Sequence, residues 1–188
     1  MRNIKAIAVF ITILALVGCQ TNPTRQSSSL PSAPPGFSWV SDNVGSFLKP
    51  RGWFERKESN GSTNALFISR ENIETEGQFV VGMSVNQINS WSSSQSSKPT
   101  QYAKAFAAKM AMDNEVLKQT VVQGNHPDMN IVRIRGNNNG TKIIVHHISI
   151  GMDSTDQVYL LSFEAPESEW EEEIKKGEHM LNFSFLGD

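Results

Sequence analysis

Short apolar runs separated by turn residues dominate the chain from residue 37 onward. The clearest run, residues 78–88, alternates apolar and small or polar positions, so that Phe79, Val81, Met83 and Val85 would share one face. Alternation with a period of two is typical of a strand with one buried face. Similar short runs predict strands around Phe47, Trp53 and Leu66, and Asn60-Gly61 between the last two is a hairpin signal.

Three further strands are predicted in the second half, beginning at Met129, Thr141 and Asp156. They are joined by "NNNG" at 137–140 and "GMDSTD" at 151–156, which are short enough for an antiparallel meander. In the middle strand, neighbouring residues must point to opposite faces of the sheet. The adjacent residues His146 and His147 are therefore expected on different faces.

Two segments change to a helical period. In residues 100–112, Tyr102, Phe106 and Met110 recur every four positions beside a row of alanines, which predicts an amphipathic helix. We interpret its apolar stripe as a face packed on the sheet; a groove for a partner is the alternative. Near the C-terminus, Trp170, Ile174 and Leu181 form a stripe opposite an acidic run, which predicts a second packed helix with a solvated acidic side.

The predicted order of elements favours an α+β fold. About six antiparallel strands would form a sheet flanked by two main α-helices, and residues 37–188 would form a single domain.

The first 18 residues have the layout of an export signal. Arg2 and Lys5 precede the apolar run 6–17, whose twelve residues would span about 18 Å as a helix, against a hydrocarbon core of about 30 Å. The segment is too short for a permanent membrane span and is typical of a signal peptide.

Leu16, Val17, Gly18 and Cys19 closely resemble a bacterial lipobox. The resemblance implies that Cys19 is acylated and that the chain is cut before it. An ordinary secretory signal with a coincidental cysteine, or a free core thiol, is the alternative. Because Gln20 rather than an aspartate follows the cysteine, the resemblance implies, for a cell with two membranes, a lipid anchor in the outer membrane, on its periplasmic face.

Residues 19–36 are rich in Ser, Pro, Thr and Gln and contain one leucine. Such a segment cannot bury enough apolar surface to offset the entropy of ordering. We predict a flexible tether between the acylated cysteine and the domain.

Charge and cysteine content narrow the classes of partner. Removal of residues 1–18 takes away Arg2 and Lys5 and leaves 15 basic against 19 acidic residues, a net charge of −4. This balance gives no footprint for nucleic acid and no basic cluster for a lipid surface. Membrane attachment would come from the acyl chains on Cys19, which is the sole cysteine and cannot form an internal disulfide.

The sequence offers little for catalysis or metal binding. His146 and His147 cannot both ligate one metal from a regular strand, and His126 and His179 lack a zinc-ligand spacing. Neither a G-x-S-x-G elbow nor a G-x-G-x-x-G or P-loop sequence occurs. We therefore predict no catalytic residue, no metal site and no cofactor.

One aromatic residue is a candidate for a partner contact. Trp91 stands in the polar loop "SWSSSQSS", and an exposed indole is a common interface anchor. The alternative is that Trp91 folds back on the sheet.

Across residues 37–186 the chain resembles the PsbP-like superfamily, which includes the DcrB-type bacterial lipoproteins. The resemblance lies in "LKPRGWF" at 48–54 and in residues 158–185, where a strand ends in a small-Pro turn before a tryptophan-bearing helix and an aromatic finish. It implies a PsbP-like sandwich and a non-enzymatic binding or assembly role on an envelope protein complex. A carrier of a small apolar ligand or lipid, and an unrecognised hydrolase, are the alternatives.

Overall fold

The computed structural model describes residues 30–77, 79–124, 127–182 and 185–186. The strands and helices follow one another along these residues in this order: β1 (Phe37–Asp42), β2 (Gly45–Pro50), β3 (Phe54–Asn60), β4 (Thr63–Ser69), α1 (Ile73–Glu76), β5 (Gly82–Ile88), α2 (Pro99–Asp113), β6 (Glu115–Val122), β7 (Met129–Asn138), β8 (Thr141–Met152), β9 (Gln157–Pro166), α3 (Trp170–Asn182) and β10 (Phe185–Leu186). A short 3₁₀ turn, Trp91–Ser93, lies between β5 and α2.

The main sheet has seven strands in the order β3-β4-β5-β9-β8-β7-β6, and every neighbouring pair is antiparallel. A second sheet, β1-β2-β10, has three strands. The α+β class is confirmed, and the estimate of about six strands is close to the seven found. The strand predicted around Phe47 is present as β2, but it belongs to the small sheet.

The predicted turns are present where the sequence places them. Asn60 pairs with Thr63 across the β3–β4 turn, and Gly61 has a φ of +58°. Asn139 and Gly140 join β7 to β8 with φ values of 50° and 88°. Glycine and asparagine tolerate this left-handed region, which explains why these pairs mark tight hairpins. Between β4 and β5, residues Ile73–Glu76 form the short helix α1, which ends at Gly77 with a φ of 75°.

One face of the main sheet packs against α3 and the small sheet. Val85, Leu161 and Phe163 of the sheet are buried there with Phe47 of β2. The stripe predicted on the C-terminal helix is confirmed, since Trp170, Ile174 and Leu181 are all buried in this core.

The opposite face packs against α2, so the sheet-packing interpretation of this helix is confirmed. Its deepest contacts come from Ala103 and Ala107, whereas the aromatic residues Tyr102 and Phe106 are only half-buried. Alanine lets the helix axis approach the sheet closely. At Gly151 of β8 a side-chain carbon would lie 2.3 Å from the backbone of Pro99, so this contact requires glycine.

Candidate functional site

The residues predicted to anchor the protein lie outside the described part of the chain. These are the lipobox residues Leu16, Val17 and Gly18 and the acylated residue Cys19, and His126 is also outside it. Acylation of Cys19 therefore stays a prediction.

Trp91 is part of the folded domain. It is 5% exposed, its Nε1 donates a hydrogen bond to the Ser97 carbonyl at 2.8 Å, and its ring centroid lies 4.2 Å from that of Tyr102. The alternative, that Trp91 folds back onto the domain, is what the structure shows, although Trp91 packs on Tyr102 of α2 rather than on the strands. A partner contact through Trp91 stays a prediction that would require this loop to open.

His146 and His147 point to opposite faces of the sheet, as predicted from the strand period. His147 packs edge-on against Phe106 of α2, with ring centroids 5.8 Å apart, and burial lowers its pKa to about 4. His146 accepts a hydrogen bond from Arg133 Nε at 3.3 Å. Burial, and then the positive charges of Arg133 and Lys118, lower the pKa of His146 to about 4. Both imidazoles are therefore neutral at pH 7.

The environment of His147 is relevant to the alternative that this protein is a hydrolase, in which a serine hydroxyl would be bonded to an imidazole. Its cross-strand neighbour Ser162 shares a hydrogen bond of 2.8 Å between hydroxyl oxygens with Ser84 on β5. The two hydroxyls are therefore bonded to each other and not to the imidazole. Nearby on the same face, burial raises the pKa of the Glu164 carboxyl. Within the described residues, no group of three or more His, Cys, Asp and Glu side chains is placed to hold a metal ion.

A cleft of about 490 Å³ opens beside the start of α3, on the face of the sheet that carries His146. The Arg133 guanidinium lies 5.0 Å from the centroid of the Trp170 ring, a cation–π distance, while its Nε is held by His146. These two contacts fix Arg133 at the wall of the cleft. Leu117 and Lys118 of β6 form the adjoining wall.

The cations that line the cleft differ in whether they form ion pairs. Arg135 is paired with Glu167, with Nη2 and Oε1 2.7 Å apart, and with Glu115. Arg133 and Lys118, in contrast, form no ion pair with any described residue. The exposed carboxylate of Glu171 also lines the cleft. With Arg135 and its two carboxylates counted, three cations and three carboxylates balance, and Lys118 and Arg133 are the lining cations that form no ion pair with a described residue.

The neighbouring strand β6 forms one edge of the main sheet. Val116, Leu117 and Val121 are exposed on it, and Met112, at the adjoining end of α2, is 85% exposed. The register with β7 shifts between Val116 and Lys118, which indicates a bulge. A bulge redirects side chains locally, and here Leu117 and Lys118 both line the cleft.

The other edge of the same sheet has a different character. Strand β3 reads "FERKESN" and carries four consecutive charged residues, 55–58. Charged side chains protect an edge strand from pairing with other chains. The apolar β6 edge lacks such a run, and it is therefore the edge suited to contact with another molecule. No helix among the described residues is long and apolar enough to span a bilayer.

Known structures with the same arrangement support the assignment of the fold. A protein from Bacteroides thetaiotaomicron superposes with a TM-score of 0.52 at 12% identity over 81% of this chain and 49% of its own, so this chain spans about half its length. The cyanobacterial PsbP protein CyanoP from Synechocystis sp. PCC 6803 gives 0.51 at 11% identity, over 84% and 98% of the two chains. The Ran-binding protein Mog1p from Saccharomyces cerevisiae gives 0.50 at 11%, over 81% and 96%.

These likenesses establish a PsbP/Mog1-like fold. No family model and no curated protein matches the sequence. At identities of 11% to 12%, a shared fold does not transfer a partner or an activity.

Proposed function

We propose that this protein is a lipid-anchored bacterial envelope lipoprotein whose domain binds a protein partner and performs no catalysis. Acyl chains on Cys19 would hold it in the membrane, with the outer membrane, periplasmic face, as its expected address. The observation that carries the binding role is the exposed apolar edge formed by β6 and the end of α2.

The anchor is supported by the order of segments at the N-terminus. A charged start, a short apolar run, the lipobox-like residues 16–19 and a polar tether follow one another without interruption. One acyl chain gives marginal membrane binding, whereas several chains anchor stably without a basic patch. This fits a mature chain with a net charge of −4.

The binding role is supported by the two edges of the main sheet. An apolar edge strand that is neither covered nor strongly charged readily pairs with another chain, and proteins that act alone usually protect such edges. Here β3 carries four consecutive charges, whereas β6 carries one lysine and one bulge and keeps a regular register over residues 118–122. The accessory role implied by the PsbP-like resemblance is consistent with an adaptor of this kind.

A carrier of a small apolar ligand is less well supported by the packing. Tyr159, Phe163 and Trp170 are buried between the sheet and α3, where an apolar ligand would have to lie. Its entry would require displacement of these large side chains, at a cost in packing free energy.

The test is purification of the intact protein from gently solubilised native membranes, with Cys19→Ala as the unanchored control. Mass spectrometry of the N-terminal peptide should show an acylated Cys19, and the protein should copurify with a stoichiometric partner that the control loses. A correctly acylated protein that yields no partner under several mild detergents would contradict the binding role. An apolar ligand seen by native mass spectrometry would then favour the carrier.

A further inference from the structure

The face of the main sheet that carries α2 is only partly covered by that helix. Helix α2 packs mainly on strands β6 to β9. Beyond it lies a second cleft, of about 330 Å³, whose lining includes Phe67, Ile73, Phe79 and Glu164, and we call it the Glu164 cleft. Its volume is in the range of small-molecule sites.

Glu164 is surrounded by apolar groups. Its cross-strand partners are Gly82 on β5 and Val145 on β8, and Val145 is buried. The ring of Phe79 covers Gly82, because a side-chain carbon at Gly82 would lie 2.8 Å from a ring carbon of Phe79. The half-buried Glu164 carboxyl is therefore poorly solvated, which accounts for its raised pKa.

No described residue compensates for this burial. Glu164 forms no hydrogen bond or ion pair with a described residue, and the neighbouring hydroxyls of Ser84 and Ser162 are bonded to each other at 2.8 Å. Glu71, which is also half-buried, accepts two backbone N–H bonds of 3.0 Å and pairs with Arg70. A half-buried carboxyl without a partner costs folding free energy, and such groups are typical of binding sites.

The other charges at the Glu164 cleft are already matched. Arg56 pairs with Glu58 on its own strand, and its guanidinium lies 5.9 Å from the centroid of the Phe67 ring, a cation–π distance. One cation and two carboxylates line the cleft when Glu164 is ionised. The surplus is one negative charge, and it lies on the residue that has no partner.

A primary ammonium on an apolar body matches these groups. The ammonium would give Glu164 a charge-assisted hydrogen bond and would favour the ionised carboxylate that burial disfavours. The apolar body would contact Phe67, Ile73 and Phe79. A neutral compound of the same shape would leave the carboxyl unpaired, and an acid would be repelled by it.

We propose that the Glu164 cleft binds a small organic amine, with the ammonium on the Glu164 carboxylate and an aromatic or branched apolar body against Phe67, Ile73 and Phe79. The cleft lies on the opposite face of the sheet from α3, because Phe163, the residue before Glu164, is buried on the α3 side. Binding there displaces none of the core residues between the sheet and α3. The site is independent of the protein partner of the proposed function, so either proposal can fail alone.

The experiment is an NMR titration of the intact protein in a non-ionic detergent, with phenethylamine as the probe. Phenethyl alcohol has the same ring and chain with a neutral hydroxyl, and butylamine has the length of a lysine side chain. Equilibrium dialysis would fix the free concentration of each probe, because all three partition into the micelle.

Three variants divide the cleft into its charge and its apolar wall. Glu164→Gln removes the carboxylate, and it should fold because burial disfavours the charge that it replaces. Glu74→Gln removes the same charge from an exposed position on α1 and is the matched control. Phe79→Leu reduces the apolar wall and keeps the charge.

We expect phenethylamine to bind the wild type at least about tenfold more tightly than phenethyl alcohol, as for one charge-assisted hydrogen bond. Glu164→Gln should remove this difference, whereas Glu74→Gln should keep it. Phe79→Leu should weaken the binding of both probes by a similar factor. Amide shifts should change at Gly82 and at Glu164.

Equal affinities for the amine and the alcohol, an amine affinity that survives Glu164→Gln, or no saturable shift with the amine would each overturn this assignment. Butylamine binding as tightly as phenethylamine would also overturn it, because a lysine side chain of another protein would then fit the cleft equally well.

Discussion

Acidification should destabilise this domain through its two half-buried histidines, His146 and His147. The pKa of each falls from an ordinary value of 6.5 to about 4, because burial disfavours the charged imidazole and, for His146, Arg133 and Lys118 add repulsion. Between these two values the unfolded chain binds more protons than the folded one. The stabilisation is therefore complete above pH 6.5 and is lost as the pH falls toward 4.

The size of the effect follows from the same pKa values. For one histidine, lowering the pH from 7 to 5 reduces the free energy of unfolding by about 2 kcal/mol, and two independent histidines give about 4 kcal/mol. This is a large part of the stability of an ordinary domain. Burial raises the pKa of Glu164, so this carboxyl acts in the opposite direction, with stability that declines as the pH rises.

The assay is urea denaturation of the wild type, His146→Gln, His147→Gln and the double variant between pH 5 and pH 7.5, followed by tryptophan fluorescence. Glutamine does not titrate, and at position 146 it retains an oxygen that can accept from Arg133 Nε. Each single variant should lose about 1.2 kcal/mol per pH unit of slope near pH 5.5, and the double variant should lose twice that. Carboxylates contribute equally to all four proteins. If the four slopes coincide, the reasoning about buried neutral imidazoles is wrong.

Two further substitutions test the packing. Gly151→Ala should lower the free energy of unfolding by about 2 kcal/mol or more in thermal or chemical denaturation, because the new carbon would meet the Pro99 backbone at 2.3 Å. Gly136→Ala is the control and should change the free energy of unfolding little, because its new carbon would lie 3.6 Å from the nearest atom, an ordinary contact. Tyr159→Phe should cost about 1–3 kcal/mol, because the buried Gln87 Nε2 loses its 2.7 Å acceptor; a change under 0.5 kcal/mol would show that Gln87 finds another partner.

Strands with one deeply buried face were readable from the sequence. In β5 the alternating residues Met83 and Val85 are fully buried, as is Val81 just before the strand, and the stripe of α3 was visible for the same reason. Burial of one face requires apolar residues at a regular spacing, and that spacing is visible in the sequence.

Strands β6 and β1, which were not predicted from the sequence, lack this regular spacing of apolar residues. In β6 the first five residues are all exposed, so neither face imposes an apolar alternation, and β1 buries only Val40. The cleft was missed with β6, because it depends on a cross-strand pair, Lys118 with Arg133, that are distant in the sequence. One feature of the sequence could have predicted β6: the segment "EVLKQTVV" is rich in β-branched residues, which favour strands.

The strand order of the main sheet sets how the chain can assemble. Strands β3 to β5 and strands β6 to β9 are two meanders in chain order, joined only where β5 pairs with β9. Each meander needs only the closure of connections of 12 residues or fewer. The joining pair must close a loop of about 70 residues, which contains α2 and strands β6 to β8. The folding rate should therefore depend on one late encounter between the two locally formed meanders. A chain cut in the loop between β5 and α2 would leave both meanders whole and able to reassociate.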